Sequence, residues 1–223
     1  MRNPWGHAEW TGAWSDKSPE WENLSDIEIN ALNLVDDDNG EFFMSIKDLV
    51  RIFSSITICN LSHLEPGLAW NEEKIFGSWI KNISAGGCIN DKPSFATNPQ
   101  FKFILKDSDA DNDNLCTTII ALMQKTLTES ERFSIGFRIY LLKDWQQETA
   151  FDEKFLGSTA QFVEKSGVYT NYPEVTRRFE LKPGAYVIIP TTFEPNQERE
   201  FMLRIFSEKE CHLQALTSTK NSL

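Results

Sequence analysis

Residues 176–209, TRRFELKPGAYVIIPTTFEPNQEREFMLRIFSEK, decide the fold class. They hold three runs rich in β-branched and aromatic residues, at 176–181, 185–190 and 200–207. In the last run Phe201, Leu203 and Ile205 alternate with Glu200, Met202 and Arg204. Successive side chains of a strand point to opposite faces, so this alternation fits a strand with one face in a core. Between the runs stand Pro183-Gly184 and Glu194-Pro195-Asn196. Proline presets φ, and glycine and asparagine tolerate positive φ, which makes both segments turn formers.

The same texture extends toward the N-terminus, with strand-like runs at 101–106, 116–124, 133–142 and 154–162. Short strands at this spacing predict an all-β antiparallel sandwich over residues 64–209. Residues 1–63 read differently, as mixed and helix-containing. Ser25-Asp26-Ile27-Glu28 fits a capping box, followed at helical spacing by Ile27, Ala31, Leu32 and Val35, with Asp36 to Gly40 ending the helix. Ser45 with Asp48 opens a second helix, whose apolar face is Ile46, Leu49, Val50 and Phe53. The boundary falls near residues 63–70, and residues 210–223 read as a divergent tail.

The chain of 223 residues is 40% hydrophobic and 25% charged, enough to bury a core. Its net charge of −11 argues against a nucleic-acid partner and suits a protein that gathers divalent cations. The four cysteines, Cys59, Cys88, Cys116 and Cys211, show no zinc spacing, so reduced thiols and a cytoplasmic location are expected. No apolar run reaches the ~20 residues of a membrane span, and no signal peptide is visible.

The N-terminal stretch RNPWGHAEWTGAWSD, residues 2–16, resembles the calpains, the calcium-dependent cysteine proteases of the papain clan. Co-linear motifs extend the resemblance to about residue 209: GSW and SAGGC between 77 and 88, TNPQF at 97–101, ALMQK at 121–125, IGFRIY at 135–140 and the stretch from 177 onward. The resemblance implies an α+β fragment of a papain-like protease core followed by a C-two-like β-sandwich. It assigns Asn3 to orienting the catalytic histidine and Trp5 to flanking the cleft. The nucleophilic Cys and general-base His precede this motif in the family, so the chain is expected to be a fragment without peptidase activity of its own. His7, Cys59 with His63, and Cys88 do not supply a substitute triad.

The resemblance also implies calcium as cofactor. Glu9, Asp16 and Glu41 align with the family's ligands, with a backbone carbonyl near Asp37, and Asn39 falls where the family has a further carboxylate. Residues 36–38 read equally as a solvated turn. A second acidic constellation, Asp107, Asp109, Asp111 and Asp113, places carboxylates at every second position. It begins like an EF-hand loop but has Asn112 where glycine and Thr118 where glutamate are required. It matches the family's acidic loop and is expected to hold calcium weakly, at about 10⁻⁴–10⁻³ M. A merely solubilising loop is the alternative. Lys125, Arg132, Arg177 and Arg178 could pair with that loop, meet anionic lipid or face water.

Two functions follow. One is a calpain-type calcium-dependent cysteine endopeptidase, acting on protein substrates in an intact parent. The other is a non-catalytic module that binds calcium, phospholipid or protein. A monomer is expected, with weak phospholipid contact by the sandwich.

Overall fold

The computed structural model describes residues 1–33, 37, 39–56, 70–109, 113–125, 128–158 and 161–217. Val35, Asp36, Asp38, Cys59, His63, Asp111, Asn112 and the end of the tail lie outside them. The chain divides into two compact units, residues 1–60 and 61–223.

The first unit begins with loops and a short 3-10 turn, Pro19–Asn23, then helices α1, Asp26–Ala31, and α2, Ile46–Ile52. The capping box forms as expected: the Ser25 amide donates to Glu28 Oε2 at 2.9 Å, and the Glu28 amide donates to Ser25 Oγ at 3.4 Å. α1 stops earlier than expected, because Leu32 caps it and Asn33 takes a left-handed φ of 51°. Neither helix buries a residue; Ile27, Ile46 and Val50 are exposed. Trp21 is the buried hydrophobic of this unit among the described residues, edge-on to Trp14 and Phe43.

The second unit is an antiparallel sandwich. Its strands are β1, Asn71–Trp79; β2, Phe101–Leu105; β3, Cys116–Gln124; β4, Ile135–Leu141; β5, Gln161–Lys165; β6, Glu174–Leu181; β7, Gly184–Thr192; β8, Arg199–Ser207; and β9, Cys211–Ala215. One sheet runs β1-β8-β3-β6 and the other β5-β4-β7-β2-β9. Between them lies a core that includes Trp79, Phe103, Ile120, Phe137, Ile188, Phe201 and Leu203. Two short helices, α3, Lys92–Phe95, and α4, Glu153–Ser158, complete the unit, with Phe95 and Leu156 contributing to a second apolar cluster.

Three expectations change in the sandwich. The run at 154–162 is no continuous strand: 153–158 coil into α4, and β5 begins only at Gln161. Its residues lack the alternation that makes an amphipathic strand, so local helix wins. β9 lies in the segment read as tail, because its pairing with β2 (Phe103 opposite Leu213) is a long-range contact with a weak local signature. Of the two turns, Asn196 does take a positive φ of 62°, whereas Gly184 does not and instead leaves room for the Tyr186 ring.

Truncating the chain after Lys209 should therefore destabilise the sandwich. It strips β2 of one ladder and removes buried Cys211 and Leu216. A loss of about 3 kcal/mol is expected, read as a lower urea midpoint; an unchanged midpoint would return this segment to the status of a tail.

Candidate functional site

In the first unit an antiparallel bridge between Arg2 and Glu41 fixes the start of the NPWG motif. The Asn3 amide donates to the Gly40 carbonyl at 2.7 Å, and the Phe42 amide to that of Met1 at 2.9 Å. Gly40 has a φ of 84°, and a side chain built there would sit 2.7 Å from the Asn3 carbonyl oxygen. This is a position only glycine fits.

The Asn3 side chain is held by its own loop. Nδ2 donates to the carbonyls of His7, at 2.9 Å, and Ala8, at 3.1 Å, while Oδ1 accepts from the Trp5 amide at 3.1 Å. An amide nitrogen has two hydrogens and its oxygen two lone pairs. Both Asn3 hydrogens are committed, and one acceptor position on Oδ1 remains. The loop achieves this through left-handed residues, Gly6 at 73° and Ala8 at 63°. Trp5 beside it is 77% exposed. His7 takes part through its backbone, not its imidazole.

Glu9 reaches across to the same turn: its Oε1 accepts from the amides of Asn39, at 3.0 Å, and Gly40, at 2.7 Å. Glu9, Asp16 and Asp37 line one open cavity of about 320 Å³, together with Trp10, Ser15 and Lys17. Asn39 Oδ1 accepts from the Glu41 amide at 2.7 Å, closing its own turn. The Glu41 carboxylate lies 3.8 Å from Arg2, an exposed pair of little energetic weight. Of the residues expected to bind metal here, three share the cavity, and two serve the turn or Arg2. Among the described residues, no three His, Cys, Asp or Glu side chains form a ready metal cluster. The donor set is nevertheless the oxygen chemistry of a hard cation, and Glu9 Oε2 has no hydrogen bond in the described structure.

In the second unit, Asp109 is not on display. It is buried, its Oδ2 accepts from the Thr117 amide, and its own amide donates to the Leu115 carbonyl at 2.8 Å. Asp113 Oδ1 accepts from the Leu115 amide at 2.7 Å, next to Asn114 at a φ of 62°. Asp107 is exposed, and its carbonyl accepts from Cys116 Sγ at 3.2 Å. The alternating aspartates thus divide their labour, with Asp109 closing the β2–β3 connection from inside. Burial, and then the carboxylates of Asp109, Asp107, Asp113 and Glu180, push the Cys116 thiol up to about 11. Burial and then Glu73 push Cys211 up to about 12. Lys125 pairs with Glu200 and Arg132 with Glu129 at 3.1 Å, whereas Arg178 meets Glu180 at 3.0 Å beside Thr117, next to the acidic connection.

Residues 75–206 match the family model for calpain large subunit domain III, and residues 1–60 match that for the calpain family cysteine protease. The chain belongs to the calpain family. It is 40% identical to the human calpain-1 catalytic subunit over 226 residues, which covers 94% of this chain and 31% of that relative. Rat calpain-9 is 41% identical, over 97% of this chain and 32% of its own length. A calpain of Schistosoma mansoni is 40% identical, over 93% and 29%. The chain thus spans about a third of the length of the curated calpains it matches. Among the described residues no helix is long and apolar enough to cross a membrane.

The calpain motif signalled Asn3 and the carboxylates but not what holds them: Gly40, and the carbonyls of His7 and Ala8. The Asn39-Gly40 pair was the available sign, since it favours positive φ.

Gly40→Ala should force both strain and a backbone clash, costing about 2 kcal/mol locally. Hydrogen exchange at the Asn3 and Asn39 amides of the full chain should accelerate by roughly 30-fold; unchanged protection would mean the turn tolerates a side chain. The two thiols make a separate test. Their folded pKa values lie above the ordinary 9.0, so folding favours the neutral thiol. That stability is complete below pH 9 and is lost as pH rises toward 11–12. Urea midpoints should fall between pH 8 and pH 10.5, and fall less in a Cys116→Ala/Cys211→Ala variant; equal losses would assign the effect to other groups.

Proposed function

We propose that this chain carries the histidine-orienting part of a calpain-type cysteine endopeptidase, joined to its β-sandwich domain. The observation that carries the reading is the hydrogen bonding of Asn3. With both Nδ2 hydrogens given to the loop, Oδ1 is the atom offered outward, and its remaining lone pair suits an imidazole N–H. In a Cys–His peptidase, the thiolate attacks the peptide carbonyl and the histidine moves the proton; a third group keeps the ring in the right tautomer and orientation. The Asn3 amide is neutral, so it can orient the imidazolium without adding a charge.

Calcium is the proposed cofactor. Glu9, Asp16 and Asp37 would hold it in their shared cavity, where a hard cation would relieve the repulsion among the carboxylates and tie the NPWG loop to the turn at residues 37–41. The chain is proposed to act as a monomer in the cytoplasm, on protein substrates, once a nucleophile and base are supplied. The second reading, a calcium- or lipid-binding module, draws support from the acidic β2–β3 connection, where Asp107 and Asp113 remain exposed.

The 223-residue chain alone should not cleave casein, with or without millimolar calcium. Fusing the part of the human calpain-1 catalytic subunit that precedes its match to this chain ahead of Met1 should produce calcium-dependent cleavage. Asn3→Ala in that fusion should lower kcat by roughly 10²–10⁴-fold. Cleavage by the chain alone, or full activity of the Asn3→Ala fusion, would overturn the assignment. Glu9→Gln should raise the calcium concentration needed; an unchanged calcium dependence would remove Glu9 from the site.

A further inference from the structure

A cavity of about 650 Å³ opens in the sandwich where Phe76 and Ile80 come near Ala215 and Leu216. Among the described residues both bordering strands are sheet edges, β1 pairing with β8 and β9 with β2, and β9 packs beside β1 without a ladder between them. The outer edge of β1 therefore has no strand partner among the described residues. Such an edge is a template for an incoming strand.

The walls are unusually apolar for a free edge. Phe76 is 72% exposed, Ile83 70% and Ile80 40%, all on this cavity. Its amide side chains are spent within the protein. Asn98 accepts from the Gly86 amide and donates to the Gly87 and Phe95 carbonyls. Gln100 bonds Phe151 in both directions, at 2.7 and 2.8 Å. Glu153, exposed at the start of α4, lines the cavity and has no hydrogen bond or ion pair among the described residues.

We propose that this cavity and the β1 edge receive an extended segment of a partner polypeptide bearing apolar side chains and a lysine or arginine. The backbone of the segment pairs with β1 where residues 76–78 border the cavity, its apolar groups cover Phe76 and Ile83, and its cation meets Glu153. Glu153 decides among occupants. A second copy of this chain, at a net charge of −11, would be repelled, and so would nucleic acid. The proposal is independent of the peptidase reading, because every residue it uses lies in the sandwich.

The test uses the full chain and a fluorescein-labelled octapeptide of alternating valine and lysine, read by fluorescence anisotropy. Binding is expected, at least tenfold weaker for the valine–glutamate counterpart and for a valine–lysine peptide N-methylated at every second residue. Phe76→Ser/Ile83→Ser should weaken it at least tenfold with an unchanged melting temperature, since both side chains are largely exposed. Glu153→Lys should weaken it at least fivefold, against less than twofold for Glu164→Lys on β5. Equal effects of the two charge reversals would reduce the interaction to bulk charge and overturn the proposal. Undiminished binding of the N-methylated peptide, absence of binding, or a dimer in sedimentation that Phe76→Ser dissolves would each overturn it as well.

Discussion

The sandwich depends on one strand being covered on both faces. All nine residues of β7 are buried. Its Tyr186 and Ile188 enter the core between the sheets, while Ala185, Val187 and Ile189 face a second cluster with Phe95 and Leu216. A strand buried on one face needs only a second sheet. One buried on both also needs a lid, and α3, α4 and the 143–152 connection supply it. Polar pins fix that lid where apolar packing alone would let it slide. Lys102 is buried and donates to the carbonyls of Trp145 and Gln147, and Gln100 clasps Phe151. Across the core, the Trp79 indole donates to the Pro190 carbonyl at 3.0 Å, which ties edge strand β1 to the buried end of β7.

The first unit is organised on another principle. With Trp21 as its buried hydrophobic among the described residues, side-chain-to-backbone hydrogen bonds hold its loops. Asn3, Glu9 and Asn39 each satisfy amides or carbonyls that would otherwise be unpaired. A side chain locked by several short local bonds is already oriented, so under the proposed function little entropy would be lost if a histidine came to rest against it. The same bonds limit which carboxylates can serve a cation. Glu9 has one oxygen committed to the turn, and Glu41 is drawn toward Arg2.

In the acidic connection, sequence spacing and tertiary placement part company. Four aspartates at alternate positions suggest one exposed set, yet Asp109 is turned inward onto the Thr117 amide. A buried carboxylate beside the Cys116 thiol raises the cost of a thiolate there, which suits a structural cysteine rather than a reactive one.

Several elements were legible from the sequence because their causes are local. β3 and β8 follow from runs of β-branched and aromatic residues, and the α1 capping box from Ser25 and Glu28 three residues apart. The calpain motif marked Asn3, Trp5 and Glu9 in the same way, as residue types at fixed spacing. Tertiary structure alone decided the rest. β9 became a strand because β2 had an open edge. Gly40 became indispensable because the Asn3 carbonyl, far away in sequence, passes within reach of it. The sequence by itself determined which segments prefer to be strands or capped helices and which family the chain belongs to. Burial, edge pairing and the commitment of each carboxylate were settled only in three dimensions, since they depend on neighbours that local preference cannot name.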